Sequence, residues 1–204
     1  MSKANLKHWE ERFAAEGYIF GTAPNAFLAR EAGRLRPSSE VLCIADGEGR
    51  NSTWLAEQGH RVHAVEATQN AIVKARALAA ERGVTVHHDQ VDLEEWDWPI
   101  GQYDAVVAIF IQFTDPSGRA RMFAQMEAAL RPGGVLLLEG YGPGQLAYGT
   151  GGPKLLDHLY TVEELRSAFP TLRVDLLEAY DRELDEGPRH SGMSALIDLA
   201  AVAM

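Results

Sequence analysis

A short apolar run that leads directly into a glycine-containing loop constrains the fold of this chain most. Residues 41–45 are continuously apolar, which is typical of a central parallel strand buried on both faces. Residues 46–51 include Gly47 and Gly49, and a helix is predicted from Ser52. Glycines at this point let the backbone turn sharply and approach a ligand, and free N–H groups at a helix start can bind an anion. The segment predicts a ligand-binding turn, with an ordinary tight turn as the alternative.

Strand and helix patterns alternate after this loop. Further strands are predicted over residues 61–65, 84–88, 103–110 and 135–141, with helices over 52–58, 70–81 and 119–130. This alternation predicts an α/β fold with a doubly wound parallel sheet. Two final strands, over 173–180 and 193–202, are joined without a crossover helix. They are therefore expected to be antiparallel to each other.

The first 36 residues precede the alternation. Two helices, over residues 5–16 and 26–35, are predicted there, joined by an aromatic loop. No internal repeat or domain boundary is visible, so one domain is predicted over residues 1–204, with 1–36 as N-terminal helices and lid. The glycine-rich segment over 142–153 is predicted to be a long loop, and such loops in compact domains are often functional.

The composition limits the kinds of molecule that this chain is expected to bind. The chain has 204 residues, with 19 Lys and Arg against 29 Asp and Glu, a net charge of −10. This charge repels phosphate backbones, so nucleic acid is not an expected partner. The sequence has neither a signal-peptide core nor an apolar run long enough to cross a bilayer, so no membrane association is expected and a cytoplasmic location follows by elimination.

No metal site and no disulfide framework are predicted. The sole cysteine, Cys43, lies in the first predicted strand, where a buried cysteine behaves as a small hydrophobe. The pair His87 and His88 has no third metal ligand at a convincing spacing along the chain.

Two carboxylates follow neighbouring predicted strands. Glu66 ends the second strand, where in open α/β sheets an acid can hold both hydroxyls of a ribose; a solvated strand end is the alternative. Asp92 follows the third strand and can accept a hydrogen bond from an adenine amino group. The alternative for Asp92 is a loop aspartate in a locally acidic stretch.

Taken together, the motifs resemble class I S-adenosylmethionine-dependent methyltransferases, especially the tellurite-resistance and thiopurine-methyltransferase-like group. The resemblance extends over nearly the full chain and includes residues 9–25, 47–51, 103–112, 130–153 and 186–192. It implies a Rossmann-like fold, with a seven-stranded, mostly parallel sheet, an antiparallel final strand and helices on both faces. It also implies S-adenosylmethionine as cofactor and a small-molecule methyl acceptor, with thiols and tellurite- or selenite-type chalcogen compounds as candidates. A monomer and a homodimer both remain open.

The resemblance also implies a set of site residues. Asp46 would face the amino group of the methionine moiety, Glu66 the ribose, and Asp92 with Leu93 the adenine. The full cofactor-binding set is Asp46, Gly47, Glu48, Gly49, Asn51, Glu66, Ala67, Asp92, Leu93, Ala108 and Ile109. The residues expected on the substrate side or in the lid are Trp9, Arg12, Tyr18, Phe20, Gln112 and Tyr148.

This chain departs from the family pattern at three positions. The class usually carries an acid where Cys43 stands and a glycine where Ala45 stands. Relatives often have a histidine where Gln112 stands, so a general base at that position is not available.

The remaining candidates for a catalytic base are His190 and Tyr141, and Tyr148 is a third candidate. Histidine has the intrinsic pKa range of a general base, although a soft nucleophile such as a thiolate needs no strong base. The residues considered for binding an anionic substrate group are Arg12, Arg50 and Arg189. A surface or ion-pair role is the alternative for each.

Two other function classes stay open at this point. One is an NAD-dependent oxidoreductase, although its fingerprint requires a third glycine where Ser52 stands. The other is a non-catalytic sensor that binds the cofactor.

Overall fold

Seven strands form a single sheet in this computed structural model, which describes residues 3–204 apart from the side chain of Ala4. The strands are β1 (Glu40–Ile44), β2 (Arg61–Glu66), β3 (His87–Gln90), β4 (Tyr103–Ile109), β5 (Leu130–Tyr141), β6 (Leu172–Asp185) and β7 (Ser191–Ala203). Their order across the sheet is β3-β2-β1-β4-β5-β7-β6. Strands β1 to β5 pair in parallel, whereas β7 is antiparallel to both β5 and β6. The predicted fold class is confirmed.

The helices connect and cover these strands. They are α1 (Lys3–Phe13), α2 (Ala26–Glu31), α3 (Arg50–Glu57), α4 (Gln69–Glu81), α5 (Pro116–Ala129), α6 (Gln145–Tyr148) and α7 (Val162–Ala168), with 3-10 turns at Ala32–Arg34 and Leu156–His158. Within residues 3–204, no helix combines the length and the apolar character that crossing a bilayer would require.

The sheet is buried on both faces. Neighbouring residues of β1 illustrate this: Leu42 packs in an apolar cluster with Phe123 of α5, whereas Val41 packs in a second cluster with Leu28 of α2 and Leu55 of α3. Since alternate residues of a strand point to opposite faces, the continuous apolar run of β1 is explained by helices on both sides of the sheet.

The chain reverses its direction of travel across the sheet between β1 and β4. From β1 it proceeds outward through β2 and β3, then returns to place β4 on the other side of β1. In open α/β sheets this switch point opens a crevice at the carboxyl ends of the strands, where ligands bind.

Some predicted boundaries require correction. The predicted loop over 142–153 contains the short helix α6, where the buried Gln145 side chain accepts a hydrogen bond from the Ala195 backbone (2.9 Å). At the start of α7, the Thr161 hydroxyl accepts a hydrogen bond from the Glu164 N–H (3.1 Å) and caps the helix. A single domain over 1–204 stays a prediction.

Candidate functional site

A cavity of about 120 Å³ opens at the switch point. Its walls come from the loop after β1, the carboxyl ends of β2 and β4, and the N-terminal segment. The predicted cofactor-binding residues that line it are Asp46, Gly47, Glu48, Asn51, Glu66, Ala67, Leu93 and Ile109. Three others, Gly49, Asp92 and Ala108, are not among its lining residues.

The two glycines of the β1–α3 loop have different tasks. Both have positive φ angles, +61° at Gly47 and +87° at Gly49, a region that favours glycine. A Cβ at Gly49 would lie 2.6 Å from the Ala75 Cβ, so Gly49 allows α3 and α4 to approach each other. Gly49 therefore has a packing role, and its predicted cofactor contact stays a prediction. A Cβ at Gly47 would lie 3.6 Å from the Phe13 ring.

Asp46 presents a carboxylate to the cavity. Its oxygens accept hydrogen bonds from the Ser52 hydroxyl (2.5 Å) and the Ser52 N–H (3.3 Å). Enclosure by protein raises the pKa of Asp46 to about 7, against the effect of these bonds, and the nearby Glu66 adds to the rise. A cationic ligand group beside Asp46 would therefore stabilise its ionised form.

Glu66 is held in place by its own loop. Its carboxylate accepts from the Gly47 N–H (3.1 Å), the Thr68 N–H (3.0 Å) and the Thr68 hydroxyl (2.8 Å). Burial raises the pKa of Glu66, while these bonds oppose the rise. Rotation of the Thr68 hydroxyl would free a carboxylate lone pair for a ligand hydroxyl.

The far end of the cavity is apolar. Val91, Leu93 and Phe113 line it. The Asp92 carboxylate accepts a hydrogen bond from the Glu94 backbone (3.1 Å), and its predicted adenine contact stays a prediction. Ala108 is fully buried in the apolar core, so only its neighbour Ile109 reaches the cavity.

Aromatic side chains of the N-terminal segment cover the near end. The rings of Trp9, Phe13 and Phe20 pack with centroids 5.6–6.3 Å apart, and all three line the cavity. Trp9 and Phe20 were predicted here; Phe13 was not. Tyr18, also predicted as a lid residue, is outside the lining residues, and its hydroxyl donates to the Lys74 backbone oxygen (3.2 Å).

Glu48 holds this aromatic lid in place. Its buried carboxylate accepts from the backbone N–H groups of Ile19 (2.8 Å) and Phe20 (3.2 Å) and pairs with Lys74 Nζ (2.8 Å). The Lys74 ammonium also donates to the backbone oxygens of Ala15 and Gly17. The carboxylate of Glu48 thus stabilises the lid, while Glu48 still lines the first cavity, and its predicted cofactor contact stays a prediction.

A second cavity, of about 540 Å³, adjoins the first. The two share lining residues Trp9, Phe20, Phe110, Phe113 and His190. The second also takes in Arg12, Tyr141, Arg189 and part of the glycine-rich segment, residues 149–154. The glycine-rich segment was expected to be functional, and its position in the wall of the second cavity is consistent with that expectation.

Two predicted substrate-side residues have structural partners instead. Gln112 lines the second cavity, but its amide bonds to both backbone groups of Tyr141 (2.6 and 2.8 Å) and to the His158 oxygen (3.0 Å). Tyr148 is 37% exposed, lies outside both cavities and donates to Asp181 (2.8 Å). Gln112 therefore joins the ends of β4 and β5, and the substrate role of Tyr148 is not supported.

The two predicted catalytic residues lie at the second cavity, but neither is an effective general base at neutral pH. His190 is buried between the rings of Phe20 and Phe110, with centroids at 4.5 and 4.3 Å, and its Nδ1 has no hydrogen-bond partner among the described residues. Burial, with Arg50 and Arg12 nearby, lowers the pKa of His190 to about 3. Burial raises the pKa of Tyr141, with added repulsion from Glu139 and Glu186.

Arg50, which lines the first cavity, forms a buried ion pair whose partner the sequence did not indicate. Arg50 Nη1 and Glu186 Oε2 are 2.8 Å apart, with side chains only 7% and 9% exposed. Arg50 therefore has the ion-pair role that the sequence analysis gave as the alternative to binding a substrate anion. Glu186 also accepts from the Ala26 N–H (2.9 Å) and from Asn25 Nδ2. No local pattern connects residues 136 positions apart.

Phe110 was also missed. It follows β4 with a φ of +56°, a conformation that bulky residues rarely adopt, and its ring lies in the wall between the two cavities. In the sequence it is indistinguishable from the last apolar residue of a buried strand.

Comparison with known proteins identifies the family. A family model described as a methyltransferase domain matches residues 41–134. A thiopurine S-methyltransferase of Pseudomonas putida strain KT2440 is 30% identical over 93% of this chain and 94% of that protein. A glycine/sarcosine N-methyltransferase of Halorhodospira halochloris is 29% identical over 66% of this chain. The chain spans about half the length of that relative, 48%.

A solved structure shares the fold. The N-methyltransferase NodS from Bradyrhizobium japonicum WM9, in complex with S-adenosyl-L-homocysteine, superposes with a TM-score of 0.70 at 15% identity, over 98% of each chain. This chain belongs to the class I S-adenosylmethionine-dependent methyltransferases, as its sequence motifs predicted. S-adenosylmethionine is the cofactor of that family, and the NAD-dependent oxidoreductase alternative is set aside.

Proposed function

We propose that this chain binds S-adenosylmethionine in the first cavity and transfers its methyl group to a small anionic acceptor in the second. One observation carries the proposal: the two cavities adjoin through a shared wall that includes Phe20, Phe110 and His190. A methyl donor in one and an acceptor in the other would meet at this wall. Small thiolates and chalcogen oxyanions are the proposed acceptor classes.

The residues of the first cavity fit the cofactor. When bound, S-adenosylmethionine supplies a methyl group on a positively charged sulfur. Asp46 would hold its ammonium group, Glu66 its ribose hydroxyls, and the apolar pair Val91 and Leu93 its adenine. The aromatic lid would exclude water from the reacting groups, which favours an in-line displacement in a dry site.

The raised pKa of Asp46 predicts pH-dependent cofactor affinity. Asp46 has to be ionised to pair with an ammonium group, and its pKa of about 7 in the free protein means that protons compete with the ligand below neutrality. We expect S-adenosylhomocysteine to bind about tenfold more weakly at pH 6 than at pH 8. Calorimetric titration at both pH values measures this difference. Asp46→Asn should bind S-adenosylhomocysteine weakly at both pH values. A wild-type affinity that changes less than twofold between them would contradict the pairing of Asp46 with the ammonium group.

The charges around the second cavity support an anionic acceptor. Arg12, Lys154 and Arg189 line it, and no carboxylate does among the described residues. Within residues 3–204, none of these three cations forms an ion pair. Burial and the charge of Arg189 both lower the pKa of Arg12, whose guanidinium lies 4.5 Å from the Trp9 ring centroid. In a chain of net charge −10, this local excess of positive charge attracts anions.

The properties of His190 and Tyr141 favour an acceptor that is already ionised. With a pKa of about 3, His190 is neutral and a weak base at pH 7, and the Tyr141 phenol stays protonated. A nucleophile that must lose a proton during the reaction would need a better base. A thiolate or an oxyanion brings its electron pair without one.

Arg12→Gln and Arg189→Gln test the acceptor proposal. Each change should raise the KM for an anionic acceptor about tenfold, because a hydrogen bond to a charged group is lost, with a smaller effect on kcat. S-adenosylhomocysteine release is measured with small thiols, selenite and tellurite. Arg36→Gln, at the opposite end of the strands beside Asp104, is the matched control.

Two outcomes would contradict the proposal. An unchanged KM in both arginine variants would remove the anionic site. Tight cofactor binding without turnover of any acceptor would instead favour the sensor alternative.

A further inference from the structure

Three metal-ligating side chains converge on the sheet away from both cavities. His63 lies on β2, and His87 and Asp89 lie on the edge strand β3. His63 and His87 are direct partners in the parallel pairing. Asp89 is two residues beyond His87 and therefore on the same face of the sheet.

The distances suit a coordination site. His63 Nε2 and His87 Nε2 lie 3.0 and 3.2 Å from the same oxygen, Asp89 Oδ2. Tetrahedral coordination with bonds of about 2.0–2.2 Å separates neighbouring ligand atoms by roughly 3.3 Å. All three ligand atoms lie within 4.8 Å of one another. The His87 side chain is 67% exposed, so its ring can turn to bring the remaining pair of ligand atoms closer.

The least exposed ligand is already oriented. His63 Nδ1 lies 2.7 Å from the Tyr103 hydroxyl oxygen, and Trp96 packs edge-on against the imidazole with centroids at 5.9 Å. When Nδ1 donates its proton to Tyr103, the lone pair of Nε2 points toward Asp89 and is available to a metal. Such outer hydrogen bonds typically fix the tautomer and the ring orientation of metal-binding histidines.

We propose that His63, His87 and Asp89 form a site for a divalent transition-metal ion such as Zn²⁺, with water completing the coordination. Two imidazoles and one carboxylate suit such metals, whereas Mg²⁺ and Ca²⁺ require mostly oxygen ligands. The site ties the edge strand to its neighbour and does not depend on the proposed methyl transfer.

The proposed site differs from the pair considered in the sequence, His87 with His88, for which no metal site was predicted. Adjacent strand residues point to opposite faces, and His88 is buried on the other one. The missing ligands are Asp89 and the distant His63, which only strand pairing brings together.

Zinc titration of the full chain without a polyhistidine tag tests the site. We expect saturable one-to-one binding by calorimetry and a rise in melting temperature with added Zn²⁺, and no response to Mg²⁺. His87→Gln, at an exposed position, should reduce the affinity more than tenfold without disturbing the fold, as should Asp89→Asn. Tyr103→Phe should reduce it about tenfold, as outer-shell changes do.

His60→Gln is the control, because His60 precedes β2 and is not part of the cluster. It should bind zinc as the wild type does. The proposal is overturned if the wild type shows no saturable binding, or if His87→Gln and Asp89→Asn bind as tightly as the wild type.

Discussion

Arg50→Met is expected to lower the free energy of unfolding by about 3–5 kcal/mol, because it leaves a buried carboxylate without its countercharge. Arg50 and Glu186 are both almost fully buried, and their polar atoms are 2.8 Å apart. Asn25 and Ala26 would still donate to Glu186, but neither carries a charge. The loop that Arg50 anchors also bears Arg189 and His190, so the variant should lose the acceptor cavity as well.

Urea denaturation of the wild type and of Arg50→Met measures the loss in free energy of unfolding. Arg61→Met, which removes an exposed ion pair with Glu40, is the control and should cost less than about 1 kcal/mol. Glu186→Gln introduced into Arg50→Met removes the stranded charge and should restore part of the loss. A loss below about 1 kcal/mol in Arg50→Met would contradict the buried-pair interpretation.

Glu66→Ala should weaken S-adenosylhomocysteine binding about 100-fold, since each hydrogen bond to a charged group contributes about 1.5–3 kcal/mol. The carboxylate is preoriented by Gly47 and Thr68 and faces the cavity. Calorimetry gives the affinity, and Glu40→Ala is the matched control because Glu40 begins β1, at the end of the strands opposite to the cavity.

Glu66 also stabilises its own loop, so a second variant is needed to separate lost ligand contacts from a disturbed loop. Glu66→Gln retains the length of the side chain and one acceptor oxygen, so it should bind more tightly than Glu66→Ala. Near-wild-type affinity in a folded Glu66→Ala protein would show that the ribose lies elsewhere.

Local patterns were sufficient to predict a doubly wound α/β sheet, and the family resemblance implied its seven strands. The apolar run of β1 reports burial on two faces, and the absence of a crossover helix between β6 and β7 predicted their antiparallel pairing. The third strand was misplaced, predicted over residues 84–88 but found at His87–Gln90. Its polar sequence carries no apolar alternation, and pairing with β2 decides where it lies.

From the residues alone, the candidate site was predictable where a side chain directly follows a strand, because the carboxyl ends of parallel strands lie together. Asp46 and Glu66 follow strands whose carboxyl ends must meet, so both were expected at one cavity, and both line it. Glu48 belongs to the same loop, yet its carboxylate serves the lid, since Lys74 and the backbone of residues 19–20 approach it from distant elements. Contacts of this kind, like that between Arg50 and Glu186, have no local signature.

Parallel calorimetric titrations of the wild-type chain with S-adenosylhomocysteine and with NADH test the central claim most directly. The cavity at the ends of β1, β2 and β4 should bind S-adenosylhomocysteine with one-to-one stoichiometry and give no saturable heat with NADH. Binding of NADH, or no binding of S-adenosylhomocysteine, would contradict the assignment of this cavity to the methyl donor.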